Sequence, residues 1–298
     1  MRVFLTGATG FIGSHLIPDL LAAGHQVLGM ARSDAGAHQL EAARVGVHRG
    51  DLDAPETLAG GVAAADAVIH CAFDHDFANF LENTRKDERA IAAMAAALED
   101  TGKPVLITSG VGIGTPRRGG PAVEDVLNPG HANPRIATEL AGAALLARGI
   151  DVRTIRLPQV HDTRKAGLIT PLIAEARRAG AAAYVGDGQA RWAAAHVSDV
   201  AKLYVLALER GEPGARYHAS AEEGVTTRAI AEAIGKGTGL PVRSVPVEEA
   251  ERYFGWMTPF AGLDMTASSA WTRARLGWEP TGPGLLADLA AMDDAHPA

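Results

Sequence analysis

The sequence contains a single cysteine and no long hydrophobic run, and these two absences exclude several classes of protein. Because Cys71 is the only cysteine in 298 residues, the chain can form neither an internal disulfide nor a cysteine-based metal site. The apolar stretch 90–98 is alanine-rich and far shorter than a bilayer span. We therefore expect a cytoplasmic protein with no membrane partner and no metal ion.

Positive charge is also scarce. The 28 Lys and Arg residues are outnumbered by 35 Asp and Glu residues, which gives a formal net charge of −7. An acidic surface does not attract nucleic acid, so we expect a small-molecule substrate and no nucleic-acid partner. The composition, with 47% hydrophobic and 21% charged residues, is that of an ordinary globular protein.

The first two-thirds of the chain alternates short apolar runs with helical patterns. The predicted strands are 3–6, 26–31, 45–49, 67–70, 105–108 and 152–157. Their Val, Ile and Leu residues show little alternation with polar residues, which is typical of strands covered on both faces. Such strands, separated by helices, predict an α/β fold with a Rossmann-type doubly wound parallel sheet.

The alternation weakens after about residue 165. We predict a dinucleotide-binding Rossmann domain over 1–165 and, over 166–298, a mixed segment that completes the sheet and forms a smaller α/β substrate lobe. Short strands near 216–219 and 242–245 are assigned to this lobe. Its large apolar residues allow two interpretations, a packed core or a flat pocket for an aromatic substrate. These residues are Trp192, Phe254, Trp256, Met257 and Phe260.

A glycine-rich turn follows the first predicted strand, at 6–13. Its glycines permit a positive φ, let a pyrophosphate approach the backbone, and allow the next helix to pack closely. The amino end of that helix directs free N–H groups and a positive dipole at the phosphates. We therefore predict a dinucleotide site made by Gly7, Thr9, Gly10, Phe11, Ile12 and Gly13.

The end of the second predicted strand bears on the choice between NADP(H) and NAD(H). A site for NAD(H) usually places Asp or Glu here to bind the ribose 2′-hydroxyl, whereas this chain has Arg32 and Ser33. A guanidinium and a hydroxyl suit a 2′-phosphate, so NADP(H) is favoured over NAD(H). Further cofactor contacts are predicted where the third and fourth strands end, at Asp51, Leu52, Cys71 and Ala72.

Motifs spread along the chain resemble those of a known family. They lie at 6–13, 50–52, 68–70, 107–109, 155–158 and 196–201. In this order they look like the extended or atypical short-chain dehydrogenase/reductases, which are NAD-dependent epimerase/dehydratase-like proteins. The resemblance implies that Thr108, Pro158 and Val160 also line the cofactor site. It also implies a homodimer formed through the helices predicted at 77–99 and 135–148.

The Tyr-x-x-x-Lys motif, which that family uses for proton transfer, is missing. The first tyrosine is Tyr184, well beyond the helix that should carry the motif. The resemblance places Ser109 where a serine orients the substrate oxygen, and it aligns Arg135 with the start of the missing motif. His161 follows a stretch that lines the nicotinamide in the family. We therefore name Ser109, Arg135 and His161 as the candidate catalytic residues, with His161 as the candidate acid.

The sequence thus predicts an NADP(H)-dependent oxidoreductase that acts on a carbonyl or an alcohol of a small organic substrate. Two alternatives stay open. A non-catalytic NADP(H)-binding sensor would also lack the tyrosine and the lysine. An NAD(P)-dependent epimerase or dehydratase would use transient oxidation, and the absent tyrosine argues against it most strongly.

Overall fold

Twelve strands and twelve α-helices make up the computed structural model, which describes residues 1–117 and 119–292. The strands are β1 (Arg2–Thr6), β2 (Gln26–Ala31), β3 (Gly46–Arg49), β4 (Ala67–His70), β5 (Val105–Gly110), β6 (Val152–Leu157), β7 (Gln159–His161), β8 (Ala182–Val185), β9 (Arg191–His196), β10 (Arg216–His218), β11 (Glu222–Thr226) and β12 (Val242–Val245). The helices are α1 (Phe11–Ala22), α2 (Asp34–Ala42), α3 (Leu58–Ala63), α4 (Phe80–Met94), α5 (Ile136–Ala147), α6 (Ile169–Ala179), α7 (Val197–Arg210), α8 (Thr227–Thr238), α9 (Ala250–Phe254), α10 (Thr258–Ala261), α11 (Ala270–Leu276) and α12 (Leu285–Ala290). None of these helices combines the length and the apolar character needed to cross a membrane. The end of the expected lobe, 293–298, lies outside the described residues.

Seven parallel strands form the main sheet, in the order β10-β6-β5-β4-β1-β2-β3. The predicted Rossmann-type sheet is confirmed, and the six predicted strands agree with the observed bounds to within two residues. The assignment of the strand near 216–219 to the smaller lobe is wrong, because β10 pairs with β6 and places Arg216 opposite Thr154. A strand of three residues carries too little pattern to indicate which sheet it joins.

The strand order reverses between β1 and β4, and this reversal opens a crevice at the carboxyl ends of the strands. Helices α1 and α7 cover one face of the sheet, and α3, α4 and α5 cover the other. Strand β1 shows why both faces are apolar: Val3 and Leu5 are buried against α1 and α7, whereas Phe4 is buried against α3. Burial on both faces leaves the strand ends as the part of the sheet that is open to a ligand.

A smaller lobe follows the sixth strand of the main sheet. It contains the three-stranded sheet β11-β9-β7 and the parallel pair β12-β8, with α6, α8, α9 and α12 packed around a separate apolar core. Trp192, Phe254 and Met257 are buried in that core. Trp256 is instead 45% exposed. Phe260 is partly buried and packs against the same core, so four of the five large apolar residues contact it and Trp256 does not.

The close packing of α3 on β1 generates a test of stability. A Cβ on Gly61 would lie 2.4 Å from two carbon atoms of the buried Phe4 ring. We expect Gly61→Ala to lower the free energy of unfolding by about 1–3 kcal/mol, because the ring has no room to move. Urea unfolding followed by circular dichroism measures this change.

Gly237→Ala is the matched control, since its Cβ would meet nothing closer than the Leu289 carbonyl oxygen at 3.5 Å. Relief of the entropic cost of a helical glycine should leave this variant as stable as the wild type or more stable by roughly 0.5–1 kcal/mol. Equal stability of both variants would contradict the tight packing of α3 on Phe4.

Candidate functional site

Gly7 and Gly13 allow backbone segments to meet at the carboxyl end of β1. Gly7 has a φ of +67°, and a Cβ there would lie 2.7 Å from the Ala72 nitrogen, in the loop after β4. A Cβ on Gly13 would lie 2.2 Å from the Gly7 carbonyl oxygen. Because the opposing atoms belong to the backbone, no larger residue fits at either position. Thr9, in the same turn, is partly exposed.

Helix α1 begins at this turn with its amino end unprotected. Its N-cap, Gly10, offers no side-chain hydrogen bond, and its first turn contains no acidic residue. The N–H groups of Phe11, Ile12 and Gly13 have no acceptor within the helix, and the helix dipole adds a positive potential there. Such a cradle, which depends on the close backbone approach that Gly7 and Gly13 allow, fits the diphosphate of a dinucleotide.

Arg32 and Ser33 follow β2, and both are exposed. The Ser33 hydroxyl oxygen accepts the Gly36 N–H at 3.2 Å and so caps α2. Within the part of the chain that the structure describes, Arg32 forms no hydrogen bond or ion pair. Its guanidinium is therefore available to an anion at this edge of the sheet.

Lys86 of α4 joins the loops that follow β3 and β4. Its ammonium lies 2.8 Å from Asp53 and 3.1 Å from Asp74, and these contacts raise the pKa of Lys86. Of the predicted contacts nearby, Asp51 accepts the Asp53 N–H at 3.1 Å, and Leu52 packs against the core. Sequence reasoning missed Lys86, because its two partners lie in separate segments that no motif connects.

Thr108 and Cys71 are held beneath the crevice by Tyr204 of α7. The Thr108 hydroxyl donates to the His70 carbonyl oxygen at 2.7 Å, so the Tyr204 hydroxyl must donate to Thr108 Oγ1 at 2.6 Å. Burial raises the pKa of Cys71 to about 11, which keeps this side chain a neutral thiol near pH 7. Both residues lie where the sequence predicted them, at the ends of β4 and β5.

Ser109 and Arg135 both lie at the carboxyl end of β5, Ser109 within the strand and Arg135 through a hydrogen bond to the preceding residue. The Arg135 Nη2 group donates to the Thr108 carbonyl oxygen at 2.8 Å, and its guanidinium carbon lies 3.5 Å from the centroid of the Phe73 ring. Arg135 Nη1 and Ser109 Oγ are buried and have no hydrogen-bond partner among the described residues. A buried donor without an acceptor is costly, so these two atoms indicate where the oxygen of a ligand can bind.

A buried hydrogen-bond network connects the glycine turn to α5. The Asp87 carboxylate lies 3.1 Å from His70 Nε2 and 2.5 Å from Thr138 Oγ1, and His70 Nδ1 lies 2.8 Å from Thr6 Oγ1. A carboxylate only accepts, so His70 Nε2–H and the Thr138 hydroxyl donate to it. Thr6 Oγ1 accepts the Ala72 N–H and shares a hydrogen bond with His70 Nδ1. The network therefore joins the glycine turn to α4 and α5 through buried side chains.

Asp87 and Arg135 balance each other's charge in this network. Burial opposes ionisation of Asp87, but the charge of Arg135 and the hydrogen bonds from His70 and Thr138 outweigh it and lower the pKa of Asp87. Burial lowers the pKa of Arg135, and the charge of Asp87 opposes that shift. Sequence reasoning missed Asp87. The available signal was a carboxylate at the helical spacing of the buried residues Asn83, Thr84, Ala90 and Ile91.

The resemblance aligns Glu139 with the lysine of the Tyr-x-x-x-Lys pattern. Its carboxylate accepts two hydrogen bonds from Arg156, both at 2.8 Å, and Arg216 lies 3.4 Å away. Both Glu139 and Arg156 are buried. This carboxylate is fully engaged by the two arginines, so it is not a free base.

His161 is not in contact with Ser109 or Arg135. Its Nδ1 lies 2.7 Å from Asp288 of α12, its ring centroid lies 5.8 Å from that of His196, and its buried Nε2 has no partner among the described residues. Burial lowers the pKa of His161 despite the nearby Asp288 charge, so Nδ1–H donates to Asp288 and Nε2 presents a lone pair. With this protonation, Nε2 accepts a proton and does not supply one.

The remaining predicted contacts lie on the segment that leaves β6. Pro158 is partly exposed, whereas Val160 packs in the core beneath the sheet edge. No group of three or more His, Cys, Asp or Glu residues suited to a metal ion occurs within 1–117 and 119–292. The carboxyl edge therefore offers a backbone cradle for a diphosphate and, beside it, two unpaired donors for an oxygen atom.

Known proteins resemble this chain along its whole length. The model of the NAD dependent epimerase/dehydratase family matches residues 3–220. An uncharacterized protein of Schizosaccharomyces pombe is 40% identical over 293 residues, which are 98% of this chain and 99% of that protein. A 2-alkyl-3-oxoalkanoate reductase of Stenotrophomonas maltophilia is 30% identical over 229 residues, covering 72% of this chain and 67% of the reductase.

A solved structure shares the fold. The UDP-glucose 4-epimerase of Thermus thermophilus, in complex with NAD, superposes with a TM-score of 0.75 at 22% identity, and the match covers 98% of this chain and 97% of the epimerase. At this identity the likeness establishes the fold alone. The family model, in contrast, matches most of the sequence, and this chain therefore belongs to the NAD dependent epimerase/dehydratase family.

Proposed function

We propose that this protein is an NADP(H)-dependent oxidoreductase that interconverts a carbonyl and an alcohol on a small organic substrate. One observation carries the proposal: Ser109 Oγ and Arg135 Nη1 are buried and unpaired at the carboxyl end of β5. They lie on the strand edge that also carries the glycine turn. Two preorganised donors beside a developing negative oxygen are what carbonyl reduction requires.

Each of these residues has a distinct part in the proposed reaction. NADPH, when bound, supplies the hydride that the carbonyl carbon receives. Ser109 donates a hydrogen bond to the carbonyl oxygen, and Arg135 keeps its positive charge beside that oxygen as it becomes an alkoxide. A guanidinium retains its proton near neutral pH, so the alkoxide takes its proton from solvent water. When the reaction runs in the opposite direction, from alcohol to carbonyl, the same two residues hold the same oxygen atom.

Asp87 is a positioning residue in this scheme. Its negative charge offsets the cost of burying the Arg135 guanidinium, and its hydrogen bonds to His70 and Thr138 hold the carboxylate in one place. His70 in turn hydrogen-bonds to Thr6, the residue before Gly7. The network thus supports both the cofactor turn and the substrate side of the site.

The cofactor would bind across the carboxyl ends of β1, β2, β4 and β5. The backbone at Gly7, Gly10 and Gly13 would hold the diphosphate, and Arg32 with Ser33 would hold the 2′-phosphate that distinguishes NADP(H) from NAD(H). Two features support this preference: Arg32 forms no hydrogen bond or ion pair among the described residues, and Lys86 pairs with the nearby Asp53 and Asp74 and offsets part of their charge.

His161 is retained as a candidate base for alcohol oxidation. Its Nε2 is buried and unpaired, and Asp288 fixes which nitrogen carries the proton. This orientation of an imidazole by a carboxylate is common to acid–base histidines. Because His161 is not in contact with Ser109 or Arg135, a water molecule would have to carry the proton from the alcohol to Nε2.

We also propose that the protein is a cytoplasmic homodimer. The supporting observation is that Leu81 of α4 and Leu140 of α5 are 53% and 39% exposed. These two helices pack against each other, and they correspond to the faces through which the resemblance implies dimer formation. Association would cover the exposed leucines.

Substitution of Ser109 and Arg135 tests the proposed reaction. With a panel of ketones and quinones, the wild type should consume NADPH, whereas Ser109→Ala and Arg135→Met should each lower kcat/KM by about 100-fold because one donor to the oxygen is lost. The NADPH affinity of Ser109→Ala should stay within about twofold of wild type, since this side chain is not part of the phosphate cradle. Steady-state NADPH absorbance and fluorescence titration measure the two quantities.

Ser244→Ala is the control, because Ser244 lies on exposed β12 and donates only to the Gly186 carbonyl oxygen. It should retain wild-type kcat/KM. Tight NADPH binding with no turnover on any panel member would refute the oxidoreductase and support the sensor.

Arg32→Ala tests the cofactor preference. Loss of a charge-assisted hydrogen bond to the 2′-phosphate should weaken NADPH binding by roughly 10- to 100-fold and leave NADH binding unchanged. Arg243→Ala on β12 removes the same charge elsewhere and should change neither constant. Calorimetric titration gives both dissociation constants, and an unaltered NADPH/NADH ratio in Arg32→Ala would refute the assignment.

A further inference from the structure

Four aromatic rings form a continuous array between the loop after β4 and the lobe. We call Phe73, Phe80, Phe77 and Trp256 the aromatic array. Neighbouring ring centroids are separated by 6.0 Å from Phe73 to Phe80, 5.6 Å from Phe80 to Phe77, and 5.0 Å from Phe77 to Trp256. The last two pairs are stacked, with interplanar angles of 24° and 27°. The array therefore links the loop after β4 to Trp256 of the lobe through a series of ring contacts.

The array is not part of either apolar core. Phe73, Phe77 and Phe80 are only partly buried and Trp256 is 45% exposed, whereas Trp192 and Trp278 are almost completely buried. Only 5% of the residues in this chain are aromatic, and four of them lie together here. Partly exposed rings next to a ligand site are available for contact with a ligand, because core packing does not use their full surface.

Asp74 and Asp76, in the loop after β4, form hydrogen bonds within the loop and an ion pair with Lys86 of α4. Asp74 accepts the Asp76 N–H and pairs with Lys86, and Asp76 accepts from the Ala78 N–H and the Asn79 side chain. These contacts hold the loop in one conformation. The rings are therefore preorganised, and little entropy is lost when a flat molecule binds against them.

The inner end of the array lies at the unpaired donors. The Arg135 guanidinium stacks on Phe73 with 3.5 Å between its central carbon and the ring centroid. Its Nη1 atom, together with Ser109 Oγ, has no hydrogen-bond partner in the described chain. A ligand whose oxygen reaches these donors would thus lie next to Phe73, the first ring of the array.

We propose that the aromatic array is the substrate subsite, and that it selects substrates carrying a planar aromatic ring beside, or one carbon away from, the reacting carbonyl. The inference rests on the proposed reductase function for its turnover test. The ring stacks in the array while the carbonyl oxygen accepts hydrogen bonds from Ser109 and Arg135. Offset stacking requires a planar aromatic ring, so a saturated ring of equal size is bound less strongly.

Benzyl methyl ketone and its cyclohexylmethyl analogue are the matched probes. A CH2 group separates the carbonyl from the ring in both, so the intrinsic reactivity of the two carbonyls is similar, and only the ring differs. We expect the kcat/KM of the wild type for the benzyl ketone to be about tenfold higher than its kcat/KM for the cyclohexylmethyl ketone. Phe77→Leu and Trp256→Leu should each lower the ratio of the two kcat/KM values by about threefold to tenfold, mainly because kcat/KM for the benzyl ketone falls.

Trp271→Leu is the control, because Trp271 is also exposed and stacked on an aromatic ring, that of Tyr217, but lies on α11 outside the array. It should keep the wild-type ratio. Equal kcat/KM values for the two ketones in the wild type would overturn the proposal. So would a ratio unchanged in both array variants.

Binding is measured separately, so that failure of the reductase function does not hide the result. In a Trp271→Phe background saturated with NADP⁺, the benzyl ketone should quench tryptophan fluorescence in a saturable way, and Trp256→Phe should remove most of that quenching. Quenching without turnover would refute the reductase and keep the subsite. Turnover of both ketones with no saturable quenching would refute the subsite and keep the reductase.

Discussion

The site depends on direct contact between backbone segments at the end of β1. Gly7 and Gly13 carry no side chain, so the turn after β1, the loop after β4 and the first turn of α1 approach closely. This contact aligns the free N–H groups of α1 with the crevice where the strand order reverses. No Lys or Arg occurs in 6–13, so amide groups and the helix dipole supply the attraction for a diphosphate.

A second constraint is the charge balance between Asp87 and Arg135. A phenol, such as the tyrosine of the missing Tyr-x-x-x-Lys motif, can donate a proton, whereas the guanidinium at this position can only hold charge and donate hydrogen bonds. Burying that cation requires a compensating anion, and Asp87 provides it from α4. Glu139 and Arg156 form a separate engaged pair beside it. If Arg135 takes the place of that tyrosine, as the resemblance implies, the chemistry available at the site differs while the fold is the same.

Local pattern predicted the sheet and the position of the glycine turn well, and it could not predict contacts that join distant segments. Continuous apolar runs predicted six strands, and a glycine spacing predicted the turn, because each feature lies within a few residues. Lys86, Asp87 and Tyr204 act through partners from other elements, and no local signal connects them. Trp192 and Trp256 have the same side chain, yet one is buried in the lobe core and the other is exposed. Their different exposure follows only from the tertiary arrangement, which a local sequence pattern does not contain.

The central claim is that the glycine cradle binds a dinucleotide, and calorimetric titration of NADPH tests it most directly. The account predicts saturable binding with one site per chain in the wild type, and its loss in Gly13→Val, whose side chain would occupy the space at the Gly7 carbonyl oxygen. Circular dichroism establishes that the variant is folded. Absence of saturable NADPH binding to the wild type, or wild-type affinity in a folded Gly13→Val, would contradict the account.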